Sequence, residues 1–445
     1  MKKSVSLLFA VMALASAALA APDTVKIFLW DNDAGESAQE SPASVMDRNT
    51  NSFYVWADAR DNNWNIYGRI WGRTPAAFTD AFLVNQFRID GSDQKAPDVA
   101  GTTGDFYFVV WQDSLLKSGA PWQVYVRKFD KSGKPLTDQI LVQEKPDIGN
   151  AKFPKIAVNP LTQNFVVVWQ DNRNGWYDIY ARLFDLNCKP LSPDIQINDD
   201  ATKNPHLYPV LSYSINGIAI AWQDYRFGAS PSIFYRYYDV TLKPLNISTI
   251  VNDDKAYLEV NHFTPAIAAQ DTGFFTIVWQ DNRNHVYGDI YAQRYDPNGK
   301  PIDQTNIKVN LSITPVVCRT PSVAMGADRI SFSTSWADSS SSTNLYQIRT
   351  RYFDKTGRFN SILTVNNNEA NGQRTPAICR LGDWLSVAWL DSSRAQGLGD
   401  IFGQYFVLDK SDSLNTVSVN YNISADRANG RKIWYHPVKN YDDPA

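Results

Sequence analysis

Short runs of alternating hydrophobic and polar residues dominate the chain, and Gly, Pro, Asn or Asp residues bound most of them. The clearest run, residues 165–185, reads FVVVWQDNRNGWYDIYARLFD, and residues 275–296 repeat it almost unchanged as FTIVWQDNRNHVYGDIYAQRYD. A period of two over seven or eight residues predicts β-strands, and no stretch of comparable length shows the helical period. The pattern therefore predicts an all-β protein.

This unit occurs seven times and accounts for nearly the whole chain. Successive copies are 53 to 58 residues apart and carry a Trp-x-Asp motif at Trp56, Trp111, Trp169, Trp222, Trp279, Trp336 and Trp389. Such a period is longer than a solenoid helix pair and suits one four-stranded propeller blade. We predict a seven-bladed β-propeller of four-stranded antiparallel blades over residues 21–420.

Each unit contains four strand-like segments. The first follows a proline such as Pro154 or Pro265, and the spacing predicts that this proline opens the strand, where its missing N–H is tolerated. The second segment ends at Trp-x-Asp, and the third, for example residues 178–185, alternates strictly. A Gly- and Pro-rich turn leads to a short fourth segment with an Asn- and Asp-rich exit, which is typical of the outer edge of a blade.

Ring closure is predicted to involve both chain ends. Residues 25–33 resemble an isolated fourth strand, and the last unit, residues 376–407, would accept it as its closing strand. Residues 417–420 compete for the same place. Residues 421–445 fit no unit and are predicted to form a tail.

The first twenty residues have the features of a secretory signal peptide. Lys2 and Lys3 precede an apolar run at residues 7–14, and Ala18 and Ala20 supply the small residues of a cleavage site after Ala20. A membrane anchor would need a longer apolar span, and no other stretch reaches that length. We predict a secreted, extracellular or periplasmic protein without a transmembrane segment in its mature chain.

Charge and cysteine content exclude further classes. A net charge of −3 gives no reason to expect a nucleic-acid partner, because such binding needs a concentrated basic surface. The three cysteines, Cys188, Cys318 and Cys379, form no Cys-x-x-Cys pair, and their places within the repeat differ. The sequence therefore argues against a disulfide framework and against a thiolate metal site.

The repeat resembles one found in secreted and cell-surface proteins of diverse bacteria. Its core there is similar to Trp-Gln-Asp-x-Arg-x-Gly-x-x-Asp-Ile-Tyr-Ala-Gln-Arg-Phe/Tyr-Asp, which residues 169–185 and 279–296 match nearly throughout. The resemblance, over about residues 25–407, implies a β-propeller on an exported protein, often of unassigned activity. The unit is also distantly similar to TolB-type propeller repeats. It lacks the Ser-x-Asp-x-Gly-x-Thr-Trp box of sialidases, which counts against that enzyme family.

Two repeated features offer candidate chemistry, and each has a structural alternative. An Asp-x-Arg pair follows four of the tryptophans, at Asp58/Arg60, Asp171/Arg173, Asp224/Arg226 and Asp281/Arg283. Because residues shared by many blades usually build the blade, we favour a structural role for them. The Asn/Asp-rich exits, residues 198–200 and 252–254, have the hard oxygens that Ca²⁺ prefers but not the Asp-x-Asp-x-Asp-Gly pattern. We therefore interpret them as solvated turns and predict no cofactor and no metal, with Ca²⁺ as the alternative.

A local departure from the repeat marks the most site-like region of the chain. Three of the four histidines are predicted to open on one face of blades four and five, together with nearby polar residues. The predicted ligand-binding residues are His206, Tyr208, Asp224, Arg226, Glu259, His262, Asp281, Arg283 and His285.

No P-loop, Gly-x-Ser-x-Gly elbow or His-Glu-x-x-His helix occurs, so no residues are predicted to be catalytic. We predict a non-enzymatic binding scaffold for a protein or carbohydrate ligand. The alternative is a carbohydrate-active enzyme, a glycoside hydrolase or polysaccharide lyase, with its site over blades four and five. A hydrolase needs two opposed carboxyl groups, for which Asp224, Asp281 and Glu259 are the nearest candidates.

Overall fold

The computed structural model describes residues 37–71, 79–88, 90–101, 106–114, 120–146, 148–254, 259–311, 316–328, 330–340, 346–355, 362–366, 372–392 and 399–407, with short segments at 424–425 and 433–434. The predicted signal peptide, residues 1–20, lies outside these ranges. So do both candidate closing strands, residues 25–33 and 417–420, and most of the predicted tail. Along the residues described, no helix has the length and hydrophobicity needed to span a bilayer.

The regular elements of the described chain are all strands, grouped in sequential antiparallel sheets. Blades one to three comprise β1 (Gln39–Met46), β2 (Ser52–Asp58), β3 (Asn65–Trp71) and β4 (Phe82–Leu83); β5 (Gln94–Gly101), β6 (Phe106–Asp113), β7 (Gln123–Asp130) and β8 (Ile140–Leu141); and β9 (Ala151–Val158), β10 (Phe165–Asp171), β11 (Asp178–Phe184) and β12 (Ile195–Gln196).

Blades four to six comprise β13 (His206–Tyr213), β14 (Ile218–Asp224), β15 (Ser232–Tyr238) and β16 (Thr249–Ile250); β17 (His262–Ala269), β18 (Phe275–Asp281), β19 (Asp289–Tyr295) and β20 (Ile307–Lys308); and β21 (Val316–Met325), β22 (Phe332–Ser340), β23 (Tyr346–Phe353) and β24 (Leu363–Thr364). Blade seven contributes β25 (Gln373–Leu381), β26 (Trp384–Asp391) and β27 (Asp400–Val407), and β28 (Ser424–Ala425) pairs with β29 (Ile433–Trp434).

The blades form a closed ring, which confirms the predicted seven-bladed β-propeller. The first strand of each blade packs against the first strand of the next, and β25 packs against β1. An equivalent backbone bond joins six of the seven neighbouring pairs in the described chain: the N–H of Gln39 donates to the carbonyl of Gly399 at 3.1 Å, as that of His206 does to Tyr177 at 2.8 Å. The same bond recurs at Gln94, Ala151, His262 and Cys318. Blade seven therefore meets blade one through the same contact that links five other neighbouring pairs.

The core lies between the sheets and is centred on the tryptophan of each motif. Six of these tryptophans are fully buried or nearly so, and Trp56 is only 3% exposed. Most stack on an aromatic residue of the third strand, as Trp169 does on Tyr180 with ring centroids 6.3 Å apart. The short fourth strands and the bounds of the third strands agree with the sequence prediction.

The predicted place of the repeated proline is wrong. Pro154 lies in the middle of β9, where the register with β10 shifts between Val168 and Gln170. The residue before the proline has a positive φ in every blade: Ser41, Ala96, Phe153, Tyr208, Thr264, Thr320 and Thr375, at 46° to 55°. The proline thus belongs to a β-bulge, which omits a ladder hydrogen bond and so accommodates the missing N–H.

Candidate functional site

The Trp-x-Asp aspartates lie inside the blades, not on an open surface. Asp224 is fully buried and accepts hydrogen bonds from Trp222 Nε1 at 2.7 Å, from the Arg226 backbone N–H at 2.8 Å and from Arg226 Nη2 at 2.7 Å. The Arg226 guanidinium also lies 3.9 Å from the centre of the Phe234 ring. Blades one, three and five have the equivalent contacts. These contacts support the structural interpretation of the Asp-x-Arg pairs.

The motif glutamine connects neighbouring blades. Gln170 Oε1 accepts the backbone N–H of Tyr208 at 2.9 Å, and Gln112 and Gln223 do the same for Phe153 and Thr264. Each accepting side chain therefore satisfies the backbone of a residue with positive φ in the next blade. Such strained residues persist only when their surroundings hold them, and the glutamine is one such restraint.

His206 is completely buried between blades three and four. Its Nε2 lies 2.8 Å from Asp200 Oδ1 and 3.6 Å from Asp224 Oδ2, and its Nδ1 lies 3.6 Å from Asp178 Oδ1. Neither ring nitrogen makes a well-angled hydrogen bond, so charge holds the ring in place. Burial opposes the charged form, but contact with Asp178 and Asp200 and the charge of Asp224 outweigh it and raise the pKa of His206 to about 9.

The group formed by Asp200, His206 and Asp224 has the residue types of a metal site, since one ligand atom from each lies within 4.8 Å of the others. Its surroundings favour a protonated histidine instead. Asp224 Oδ2 already accepts from Trp222 and Arg226, and Arg226 Nη2 lies 3.9 Å from Asp200. A guanidinium at this distance competes with a metal ion for the same oxygens.

The other predicted residues divide into buried and exposed groups. His262 occupies in blade five the position of His206, is fully buried, and lies 3.1 Å from Asp254 and 3.5 Å from Asp281. His285 is on the loop between β18 and β19, where Nε2 lies 3.4 Å from Asp289 Oδ1. Glu259 is exposed in the loop before β17. Two of the three histidines therefore lie between blades and not on the open face.

The Asn residues of the Asn/Asp-rich exits are not solvated. Asn198 is buried, accepts the Ile179 backbone N–H at 2.9 Å and donates to Asp178 Oδ1 at 2.9 Å. Asn252 accepts the Ile233 N–H at 3.0 Å in the same way. These side chains extend the sheet beyond the short fourth strand, which explains why the residue recurs.

A central channel runs along the seven innermost strands and encloses about 320 Å³. Its wall includes apolar side chains such as Leu211 and Ile267, and one charged pair. In that pair, Asp98 accepts from Lys155 Nζ at 3.2 Å and from the Ile156 N–H at 2.9 Å. The charges of Asp98 and Lys155 therefore neutralise each other.

The positive-φ residues define the rim of this channel, on the face where the loops between second and third strands open. On blades three and four they are aromatic: Phe153 and Tyr208 are 36% and 39% exposed, and their rings meet edge to face with centroids 5.0 Å apart. The residue preceding each rim residue also varies, and by blade these are Glu40, Lys95, Lys152, Leu207, Phe263, Arg319 and Arg374. At this preceding position the repeat thus has apolar side chains in blades four and five and charged side chains in the other five blades.

Of the nine residues predicted from sequence, Tyr208 lies on this rim. Sequence reasoning missed Phe153, Arg319 and Arg374. The available signal was the variation at the two positions before the repeated proline, where aligned units differ most in charge and size.

Comparison with known proteins gives a structural likeness only. No protein-family model matches the chain, and no curated protein matches it. Among solved structures, a protein of unknown function from Dyadobacter fermentans is 11% identical, with a TM-score of 0.48, over 72% of this chain and 96% of its own. The α-L-arabinanase of Penicillium chrysogenum is 10% identical, with a TM-score of 0.49, over 71% and 93%.

The GH93 α-L-arabinofuranosidase of Fusarium graminearum is 10% identical, with a TM-score of 0.47, over 86% of this chain and 97% of its own. At these identities and TM-scores, the comparisons assign no activity to this chain.

Proposed function

We propose that this chain is an exported, non-catalytic propeller that binds a carbohydrate at the rim of its central channel. The observation that carries the proposal is the exposed Phe153–Tyr208 pair, placed at the channel mouth by two strained bulges. The C–H groups on one side of a sugar ring form an apolar face, which packs on an aromatic ring, while the Tyr hydroxyl remains available for hydrogen bonding. A carbohydrate is therefore the ligand class that this arc of the rim suits.

The size of the aromatic patch favours a carbohydrate over a protein partner. Two adjacent rings match one or two sugar units, whereas a stable protein interface buries about 800 Å² on each partner. Leu207 and Phe263, the partly buried neighbours of this arc, extend the apolar surface only within blades four and five.

The charges near the rim favour binding over hydrolysis. A glycoside hydrolase needs one carboxyl group on each side of the scissile bond, and in inverting enzymes they are about 6.5–9.5 Å apart. Asp98 is held by Lys155, and Glu40 lies 3.3 Å from Lys95 Nζ. Asp224 and Asp281 accept hydrogen bonds from Arg226 and Arg283 inside their blades. These pairings support a rim that holds a ligand without cleaving it.

The test compares carbohydrate binding by the mature protein with binding by Phe153→Ala/Tyr208→Ala. A glycan array followed by calorimetry should show binding by the wild type and at least a tenfold weaker affinity for the double variant. Leu161→Ala is the matched control, because this exposed residue lies on the opposite face in the β9–β10 hairpin. Equal affinities for wild type and double variant would contradict the proposal.

Hydrolysis is measured in the same preparation by the release of reducing sugar. Turnover of any polysaccharide would replace the binding proposal with the glycoside hydrolase alternative, and unsaturated products would indicate a lyase. Export is tested separately, since N-terminal sequencing of the protein recovered outside the cytoplasm should begin at Ala21.

A further inference from the structure

A second pocket lies on the same rim between blades six and seven. It encloses about 230 Å³ and is lined by Arg319, Thr320, Ala337, Tyr346, Arg374 and Thr375. The two arginines and the two threonines occupy equivalent positions in β21 and β25. Two neighbouring blades therefore contribute the same pair of residue types to one concave site.

The two arginines differ from the rim cation Lys95 in the contacts of their charged groups. Both side chains are exposed, and their guanidinium carbons lie 6.0 and 5.8 Å from the centre of the Tyr346 ring. Across the part of the chain that the structure describes, neither guanidinium lies within ion-pair distance of a carboxylate. Lys95, by contrast, is compensated by Glu40. The pocket consequently carries positive charge that no side chain described here neutralises.

The threonines of the pocket have buried hydroxyls. Thr320 Oγ1 and Thr375 Oγ1 are both buried, and neither has a hydrogen-bond partner in the described chain. Leaving a buried hydroxyl unpaired is unfavourable, and such groups in native proteins usually have a partner. Thr264 Oγ1, at the equivalent position of blade five, is buried and unpaired in the same way, so this hydroxyl is a feature that three blades share.

We propose that this pocket is an oxyanion subsite and that the ligand is an acidic polysaccharide carrying carboxylates on its sugar rings. This inference rests on the proposed carbohydrate-binding function. A guanidinium presents a planar set of donors that matches a carboxylate, and ion-paired hydrogen bonds are stronger than neutral ones. Arg319 and Arg374 bind the carboxylate, and Tyr346 packs on the sugar ring.

The variation among blades places two adjacent arginines on this arc, whereas blades two and three have Lys95 and Lys152 at the same position. Leu207 and Phe263 stand in blades four and five where blades six and seven have Arg319 and Arg374. A polysaccharide lying across the channel mouth would thus place neutral ring faces on the aromatic arc and a carboxylate on the arginine arc.

The experiment measures binding of polygalacturonate and of its carboxyl-reduced, neutral form by calorimetry at two salt concentrations. Wild type should bind the acidic polymer at least tenfold more tightly, and the preference should shrink at high salt because exposed charges are screened. Arg319→Gln/Arg374→Gln should lose this preference but keep its affinity for the neutral polymer.

Lys189→Gln/Lys300→Gln is the control, because it removes two exposed cations from turns between third and fourth strands on the opposite face. This variant should bind like wild type, and a loss as large as that of the arginine variant would overturn the subsite. Equal affinity of wild type for both polymers would overturn the subsite while leaving the proposed function intact. Absence of binding to both polymers, together with a blank glycan array, would overturn both proposals. Preference for sulfated over carboxylated polymers at equal charge would overturn the carboxylate assignment.

Discussion

Replacing His206 by Gln tests whether the most site-like histidine is a structural ion-pair partner. The ring is buried between Asp178, Asp200 and Asp224, at 2.8 to 3.6 Å from their oxygens. Gln fits this position, because Gln39 occupies it in blade one and donates to Asp58 Oδ2 at 3.1 Å. The substitution therefore removes the ring's charge with limited steric change.

The expected magnitude follows from the pKa. The pKa of His206 rises from 6.5 to about 9 on folding, and one pKa unit corresponds to about 1.4 kcal/mol, so the protonated ring contributes about 3 kcal/mol. The raised pKa sets the sign: this contribution is fully present below pH 6.5 and is lost as the pH rises through 9. On the acid side, His206 and Thr202 hold the pKa of Asp200 well below its ordinary value despite burial, so its contribution is lost only below about pH 4.

The assay is equilibrium unfolding of wild type and variant between pH 5 and 10. The free-energy difference should be about 3 kcal/mol larger at pH 6 than at pH 10. With about 2.1 cal/mol/K of unfolding entropy per residue over roughly 370 residues, 3 kcal/mol lowers Tm by about 4 °C. Loss of packing would lower the free energy of unfolding equally at every pH, so only the proton-linked part of the difference varies with pH.

A difference that is constant with pH, or that grows toward pH 10, would refute the ion-pair assignment. The profile should also be unchanged by EDTA. If a chelator abolished the stabilisation, the group of Asp200, His206 and Asp224 would be a metal site instead.

Three further substitutions or treatments test the blade chemistry. Asp281→Ala should lower stability by about 1–3 kcal/mol in chemical denaturation, because the buried Trp279 Nε1 loses its acceptor while Asp253 still pairs with Arg283. A change below about 0.5 kcal/mol would contradict this role. Asn198→Ala should lower the free energy of unfolding by about 1–3 kcal/mol, since the buried Ile179 N–H loses its acceptor. Hydrogen exchange at that amide should accelerate. Unchanged protection would show that water replaces the side chain. All three thiols are buried and form no disulfide, and burial raises the pKa of the Cys188 thiol to about 12. A thiol reagent at pH 8 should therefore react only after unfolding. Rapid reaction of the native protein would disprove this burial.

The sequence was sufficient for the architecture because its signals are local and repeated. Alternation predicted the second and third strands nearly residue by residue, and the spacing of the tryptophans gave the number of blades. The repeated proline was misplaced, since alternation cannot reveal that Pro154 belongs to a bulge whose preceding residue adopts a positive φ. That bulge, and not the strand end, determines which side chains reach the channel rim.

The candidate site, like the fold, was predicted only in part by the sequence. The sequence determined which residues depart from the repeat, among them His206, Tyr208 and the arginines at 319 and 374. Only the tertiary structure decided their environments, because each environment is built by two blades. His206 meets Asp200 and Asp178 of the preceding blade, and Arg374 meets Tyr346 of the blade before it. Contacts between sheets depend on how the sheets pack around the axis, which no pattern within a single unit encodes.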